Sequence, residues 1–395
     1  MQARGSRRAL ALSVGLALSV GALAPAAYAV SSGPRVATPT VSVKSFTVNF
    51  SAMTKLKALA KKGKGNVVAL LPDTQSSARY VQYDEPYLTA AFKAAGLSSK
   101  FQVQNAQGSA STMQTQAEAA ITNGASVLLI DPLDSGSGAA IEKNAKAKGV
   151  ASIDYDRITL NGASSYYVSF NNVTVGKNIG TGFEQCVTAW GIAKPQVLVM
   201  DGDPTDNNAK LFNQGYTSVL DPKFKSAAYT KVAEPAGTWD NQKALVTFQQ
   251  QYTAHPTINS AVTPNDGVAN SVISALKTLQ IKPKTFPTTG QDASVQGLQN
   301  ILTGYQCMTV YKPVYKEAQA AAALAIYMRA GQKPPSSLVN GKTSNSTKSV
   351  PSVLLIPTNV DTKNMASTVV KDKAVTVAEL CTGAVAAACT AAGIS

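Results

Sequence analysis

Short apolar runs alternate with longer helical stretches along most of this 395-residue chain. The run Val67–Leu71 ends in Pro72-Asp73, a pattern typical of a buried strand. We predict further strands in this first series at 101–103, 126–130 and 150–153, with helices at 87–95, 112–122 and 139–148. Strands that alternate with helices in this way indicate parallel βαβ units with right-handed crossovers.

The same alternation begins again after Ser169-Phe170. We predict strands at 197–200, 260–262, 286–288 and 308–310, and helices at 175–190, 207–220, 241–253, 267–279, 295–302 and 314–328. The two series are similar in size, and the chain is too long for one hydrophobic core. The sequence therefore predicts an α/β protein with two doubly wound parallel-sheet lobes.

The first 29 residues have the pattern of a cleavable signal peptide. Arginines at 4, 7 and 8 precede an uncharged apolar run at 9–23, and Ala27-Tyr28-Ala29 provides small residues at the cleavage site. The apolar run is too short, and too rich in Ala, Gly and Ser, to make a good membrane span. No Cys lies near the cleavage site to carry a lipid. We expect an exported protein in the periplasm or the cell-wall space.

The net charge of the chain adds little to the prediction of an exported protein. The chain has a net charge of +14, and removal of the three signal-peptide arginines leaves +11. Residues 30–63 are rich in Ser, Thr, Pro and Lys, and we interpret them as a low-complexity extension before the fold. They contain most of the one dense lysine run, at 55, 57, 61, 62 and 64. An exported protein meets no genome, so we expect no nucleic-acid partner, and the charge favours solubility or attraction to an anionic envelope.

Four cysteines, all outside the signal peptide, fit an oxidising compartment. Three pairings are open, and the spacings alone do not choose among them. We predict that Cys381 pairs with Cys389, in a stretch where a local loop can close, and that Cys186 pairs with Cys307. The alternative is that they are buried free thiols.

Polar side chains follow nearly every predicted strand. They are Asp73, Asp131, Asp154 to Arg157, Asp201, Asp203, Asp206 to Asn208, Asn265-Asp266, Gln291-Asp292 and Lys312. One Asp at a strand end is more often a helix cap than a ligand. Repetition in both lobes favours a polar pocket, because ligands of open α/β sheets bind beyond the carboxyl ends of the strands.

Carboxylates, amides and cations together provide the donors and acceptors that a neutral polyol needs. The C–H face of a sugar also needs an aromatic ring, for which Tyr80 and Trp239 are candidates; the alternative is that either ring packs locally. We find no nucleophile elbow and no phosphate loop, and the single His255 precedes Pro256. Paired carboxylates can hydrolyse glycosides, but here the accompanying amides and cations suit binding better. We expect no enzyme activity, no metal and no cofactor.

Several motifs resemble the type I periplasmic binding proteins, in their xylose-binding branch, over most of residues 65–375. The densest are Tyr155-Asp156-Arg157, Ser169 to Asn172, Asp206 to Phe212, Gly290 to Ala293 and Met308 to Pro313. The resemblance continues at Val350 to Leu355 and Thr368 to Asp372. The runs Asp206 to Phe212 and Met308 to Pro313 are the most specific.

The resemblance implies two lobes joined by a three-strand hinge. The N-terminal lobe would be 64–162 plus 312–352, and the C-terminal lobe 163–311 plus 353–395. Sugar contacts carried over by motif are Arg79, Tyr80, Arg157, Asp206, Asn208, Trp239, Asn265, Asp292 and Lys312. The loop before Arg79 differs from the family in length and composition, and Asn171 replaces a family Asp, which puts the pentose specificity in question.

Two functions remain open. The first is a monomeric subunit that captures a monosaccharide, xylose or a similar aldose, and delivers it to the membrane permease of an ABC importer. The second is a sugar-sensing module that presents its closed form to a chemoreceptor or sensor kinase. A transcriptional repressor of the same fold is excluded, because a signal peptide and an extension stand where its DNA-binding helices would be.

Overall fold

The computed structural model describes residues 39–395. The predicted signal peptide and residues 30–38 lie outside the described residues. None of the helices in 39–395 combines the length and the apolar character that a membrane crossing needs.

Twelve strands and twelve α-helices make up the described chain. The strands are β1 (Asn66–Leu71), β2 (Phe101–Asn105), β3 (Ala125–Ile130), β4 (Ala151–Tyr155), β5 (Tyr166–Phe170), β6 (Gln196–Val199), β7 (Thr230–Ala233), β8 (Ser260–Val262), β9 (Thr309–Tyr311), β10 (Gly341–Ser344), β11 (Ser349–Leu355) and β12 (Thr358–Val360). The helices are α1 (Lys57–Lys62), α2 (Glu85–Ala94), α3 (Ala110–Thr122), α4 (Ser135–Ala147), α5 (Asn172–Ala189), α6 (Asn207–Lys225), α7 (Asn241–Ala254), α8 (Asp266–Thr278), α9 (Val295–Leu302), α10 (Val314–Arg329), α11 (Val377–Leu380) and α12 (Ala386–Ala391).

Two sheets define two lobes. The first sheet has the order β10-β11-β5-β4-β3-β1-β2 and is parallel except for the β10–β11 pair. The second lobe contains the parallel sheet β7-β6-β8 and the antiparallel pair β12-β9. Two parallel bridges, Ala261 with Thr288 and Gln291 with Val310, extend this arrangement from β8 towards β9. The predicted strand at 286–288 is therefore a single bridge, and the exposed edge strand β7 was not predicted.

Two lobe boundaries lie at other residues than the sequence predicted, as the strand pairing shows. Because β5 pairs with β4, and β11 pairs with β5, both strands belong to the first sheet. The chain therefore leaves the first lobe after Phe170 rather than at 162, and after Leu355 rather than at 352. The remaining crossing lies between β9 and α10. Lobe 1 thus comprises residues 39–170 and 312–356, and lobe 2 comprises residues 171–311 and 357–395.

The interpretation of residues 30–63 as an extension outside the fold is wrong from Pro39 onward. A 3-10 helix at Ser51–Leu56 continues into α1, and Met53, Leu56 and Leu59 are buried in the main hydrophobic core. Arg329 of α10 donates hydrogen bonds to the carbonyls of Ala60, Gly63 and Gly65. This segment packs on lobe 1 because its few apolar residues recur at helical spacing, which the Ser, Thr and Lys content conceals.

Both predicted disulfides are confirmed, Cys186–Cys307 and Cys381–Cys389. The first joins α5 to the segment that leads into β9, so it links two chain segments that adjoin the hinge. The second closes a short loop between α11 and α12. The C-terminal segment around it packs against α9 through the side chains of Leu380, Cys389 and Ile394.

Candidate functional site

All nine predicted contact residues line one cavity between the lobes. They lie beyond the carboxyl ends of the strands, where an open α/β sheet binds ligands. Five further residues also line it: Ser76, Ser77, Asp156, Phe212 and Gln291. The cavity measures about 20 Å³, room for about one water molecule. A cleft of about 720 Å³ adjoins it, and Ser76, Arg157 and Trp239 belong to both linings.

Lobe 1 holds its charged residues in a buried ion network around Arg79. The guanidinium lies 2.6 Å from Asp84, 2.7 Å from Asp156 and 2.8 Å from Glu317. Burial alone would raise the pKa of Asp156, but the charges of Arg79, Lys312 and Arg157 lower it to about 2. Burial raises the pKa of Glu317 to about 8, against the opposing effect of Arg79. Arg79 therefore donates to three carboxyl groups and fixes Asp156 at the cavity wall.

Arg157 connects the two lobes directly. Its Nε lies 3.1 Å from Oδ2 of Asp206 and 3.6 Å from Oδ1 of Asp131. Two guanidinium groups lie close to the Tyr80 ring, that of Arg79 at 5.7 Å and that of Arg157 at 5.8 Å from the ring centroid. Burial raises the pKa of the Tyr80 hydroxyl, which keeps it neutral. Tyr80 is thus a buried aromatic wall of the cavity.

Lobe 2 presents its residues from helix N-termini. Oδ1 of Asp206 accepts from the Asn208 backbone at 2.8 Å and so caps α6, while Oδ2 accepts from Trp239 Nε1 at 3.1 Å. Oδ1 of Asn265 caps α8 by accepting from the Val268 backbone at 2.8 Å. A helix cap can therefore also line the cavity, because one side-chain atom caps the helix and the other bonds across the site: Oδ2 of Asp206 to Arg157, and Nδ2 of Asn265 to the Ser76 carbonyl.

Trp239 depends on a glycine beneath it. A Cβ atom at Gly202 would lie 2.2 Å from the Trp239 ring, so no larger residue fits without moving the indole. The ring is partly buried and touches both the small cavity and the wider cleft. This position suits a ring that covers the C–H face of a sugar.

Asp292 has a strained backbone and bonds from the other lobe. Its φ is 97°, which a non-glycine residue rarely adopts. Its Oδ2 accepts from the Ser77 hydroxyl at 2.6 Å, and its Oδ1 lies 3.2 Å from the Lys312 ammonium. Asp266 supports this loop by accepting from the backbone of Ser294 at 2.8 Å.

Asp266 is a buried support beneath the site. Gln306 and Thr309 each donate to its Oδ1 at 2.8 Å. A Cβ atom at Gly290 or Gly297 would lie within 2.3 Å of the Asp266 carboxyl, so both glycines are needed for close approach. Burial raises the pKa of Asp266 to about 7.

Asn208 lies at the hinge side of the site. Its Nδ2 donates to the Asp156 carbonyl at 2.9 Å, and its Oδ1 accepts from Asn172 at 2.7 Å. The neighbouring Asn171 is exposed and caps α5 through the Thr174 backbone at 3.0 Å. The replacement of a family Asp at 171 therefore does not change the lining of the cavity.

Sequence reasoning missed five of the lining residues for identifiable reasons. Asp156, Phe212 and Gln291 stood in recognised motifs, but only other members of those motifs were selected as sugar contacts. Ser76 and Ser77 lie in the loop whose length differs from the family, so no motif marked them. Their role is visible only across the cleft, where Asn265 donates to the Ser76 carbonyl at 3.1 Å.

The side chains that line the cavity suit recognition of a small polar ligand. Within residues 39–395, no three His, Cys, Asp or Glu side chains are arranged to hold a metal ion. The walls combine carboxylates, amides, cations and three aromatic rings, and they come from both lobes. Such a site can bind the hydroxyls of a small polar ligand from all sides.

Known proteins resemble the chain in sequence and in fold. The model of the periplasmic binding protein domain matches residues 68–333. The D-xylose-binding periplasmic protein of Escherichia coli is 34% identical over 282 residues, which cover 71% of this chain and 83% of that protein. The D-xylose-binding periplasmic protein of Haemophilus influenzae is also 34% identical, over 71% of this chain and 82% of its own length.

Solved structures of solute-binding proteins have a fold similar to that of this chain. A solute-binding protein of an ABC transporter from Clostridium phytofermentans, with bound β-D-glucose, superposes with a TM-score of 0.71 at 27% identity, over 80% of this chain and 99% of that one. A carbohydrate transporter solute-binding protein from Chloroflexus aurantiacus, in complex with D-glucose, gives 0.70 at 26% identity, over 79% and 97%. The predicted fold class is confirmed: this chain belongs to the periplasmic binding protein family and has the type I fold.

Proposed function

We propose that this chain is an extracytoplasmic solute-binding protein that captures one monosaccharide, xylose or a similar aldose, between its lobes. It delivers the sugar to the membrane permease of an ABC importer. The observation that carries the proposal is the cavity, to which lobe 1 contributes Arg157 and Lys312 and lobe 2 contributes Asp206, Asn265 and Asp292. Neither lobe alone surrounds a ligand.

The relatives support the ligand class. Two that match over most of the chain are named for binding D-xylose, and two solved structures of the same fold hold D-glucose. The charge of the lining also fits a neutral ligand, because Arg79, Arg157 and Lys312 already contact carboxylates of the protein. An anionic ligand would need cations that are not paired in this way.

A thermal-shift screen tests the proposal. The protein starting at Val30 is heated with D-xylose, other pentoses, hexoses, amino acids and phosphate esters. A ligand at one hundred times its Kd stabilises the native state by about 2.7 kcal/mol, so we expect xylose to raise Tm by about 3–4 °C. A response to an amino acid or a phosphate ester, with none to any monosaccharide, contradicts the proposal.

A further inference from the structure

The two lobes differ strongly in charge. Lobe 1 contains 19 Lys and Arg against 10 Asp and Glu, a net charge of +9, whereas lobe 2 contains 13 against 12, a net of +1. The remaining +4 of the chain lies in residues 1–38. Although the lobes share one fold, the basic character of the described chain therefore belongs almost entirely to one of them.

Most of the acidic residues of lobe 1 are buried, so its surface is more positive than its net charge indicates. Seven of its ten acids are buried, namely Asp73, Asp84, Asp131, Glu142, Asp154, Asp156 and Glu317. Only Glu85, Glu118 and Asp134 remain to offset its surface charge. The buried cations are four, Arg79, Arg157, Lys312 and Arg329. The outer surface of lobe 1 is thus cationic with few acids to neutralise it.

The positive charge of lobe 1 is densest on the helical segment Ser51–Lys62 and the turn that follows it. Its buried side carries the apolar residues that join the core, and its outer side carries exposed lysines. These are Lys55, Lys57, Lys61, Lys62 and Lys64. No acid occurs anywhere in residues 39–72, and within the described chain none of these five lysines forms an ion pair.

This surface lies at the opposite end of lobe 1 from the sugar site. The turn at Lys64 leads into the amino end of β1, where the Lys64 carbonyl accepts from the Ser126 hydroxyl at 2.7 Å. The exposed Lys146 and Lys148 lie at the end of α4, just before the amino end of β4. We call these seven lysines the basic pole. The cleft lies at the carboxyl ends of the same strands, so both surfaces are accessible together.

We propose that the basic pole binds the surface of an anionic lipid bilayer and holds the protein beside the membrane that contains its importer. The proposal rests on the export and transport proposed above. Unpaired lysines repel one another, which disfavours the folded state, whereas each contributes to attraction by an anionic membrane. None of the exposed large apolar side chains of the described chain lies in residues 39–65, so the contact is electrostatic and does not insert.

Vesicle sedimentation tests the proposal with matched variants. One variant replaces four lysines of the basic pole, K55Q/K57Q/K61Q/K62Q, and the control replaces four exposed lysines of lobe 2, K225Q/K282Q/K363Q/K371Q. Both lose the same charge. With phosphatidylglycerol–phosphatidylcholine vesicles at low salt, we expect the first variant to bind at least about tenfold more weakly than wild type and the control to stay within about threefold. Raising NaCl to about 0.3 M should release the wild type.

Three results overturn the proposal. They are equal losses in the two variants, no preference of the wild type for anionic over pure phosphatidylcholine vesicles, and binding to soluble polyglutamate without binding to vesicles. Xylose thermal shifts of the same variants separate this proposal from the proposed function. Those shifts should match wild type, because none of the eight lysines lines the cavity.

Discussion

The two lobes hold their site residues by different physical means. Lobe 1 uses a buried ion network, in which Arg79 meets Glu317 from a position 238 residues away in the chain. Lobe 2 uses local caps, in which Asp206 and Asn265 each bond to a backbone N–H two or three residues further on. One half of a binding site can thus be encoded locally while the other half depends on long-range contacts.

The largest expected effect compares the buried ion network of lobe 1 with a local helix cap of lobe 2. Arg79→Met removes the buried cation that Asp84, Asp156 and Glu317 share, and leaves only Asp156 with another cation close by, Lys312 at 3.5 Å. We expect it to lower the free energy of unfolding by about 3–5 kcal/mol. Asp240→Ala, which removes the exposed cap of α7, should cost only about 1 kcal/mol. Chemical denaturation measures both. If Arg79→Met costs no more than the cap variant, the ion network does not organise lobe 1.

The next effect concerns a single residue of lobe 2 that faces lobe 1. Asp292→Ala removes the acceptor of Ser77 and the partner of Lys312, which leaves a buried cation with fewer partners. We expect sugar binding to weaken by about 2 kcal/mol or more, roughly thirtyfold, while the fold survives.

Asn171→Ala is the matched control, because Asn171 is an exposed cap outside the cavity. Calorimetric titration should find its sugar affinity within about threefold of wild type. An Asp292→Ala variant that also stays within threefold would show that the cross-cleft contacts do not recognise the ligand.

A further effect concerns the dependence of stability on pH. The folded pKa of Asp266 is about 7, above its ordinary value, so the folded state keeps a proton that the unfolded state releases near pH 4. Stability from this group is fully present below about pH 4 and is lost as pH rises to about 7. Asp266→Asn should reduce the dependence of the free energy of unfolding on pH between about pH 4 and 7. If the free energy of unfolding of the variant depends on pH as that of wild type does, a group other than Asp266 titrates in this range.

The sequence predicted local features of the fold better than distant ones. The buried runs of β1, β3 and β6 were identified because their apolar residues are contiguous, whereas β7 was missed because an exposed edge strand has no such pattern. The packing of residues 39–63 was missed because composition concealed the spacing of Met53, Leu56 and Leu59. Lobe boundaries depend on strand pairing, which no local pattern of β5 or β11 reveals.

The same distinction applies to the site. Asp206, Asn265 and Asp292 follow strands, so the rule for open α/β sheets found them. The contact of Ser77 with Asp292 joins residues 215 positions apart and was invisible in the sequence. The role of Arg79 also changed with the structure, since its donors bind three carboxylates within lobe 1.

The proposed function depends on a sugar held between two lobes that close on it. A monosaccharide is several times larger than one water molecule, so it enters a cavity of about 20 Å³ only if the lobes first separate. Bound sugar then favours closure, because it contacts both lobes only when they meet. Small-angle scattering of the protein with and without saturating D-xylose tests this closure most directly. We predict that xylose lowers the radius of gyration; an unchanged radius at a xylose concentration that saturates binding would contradict closure.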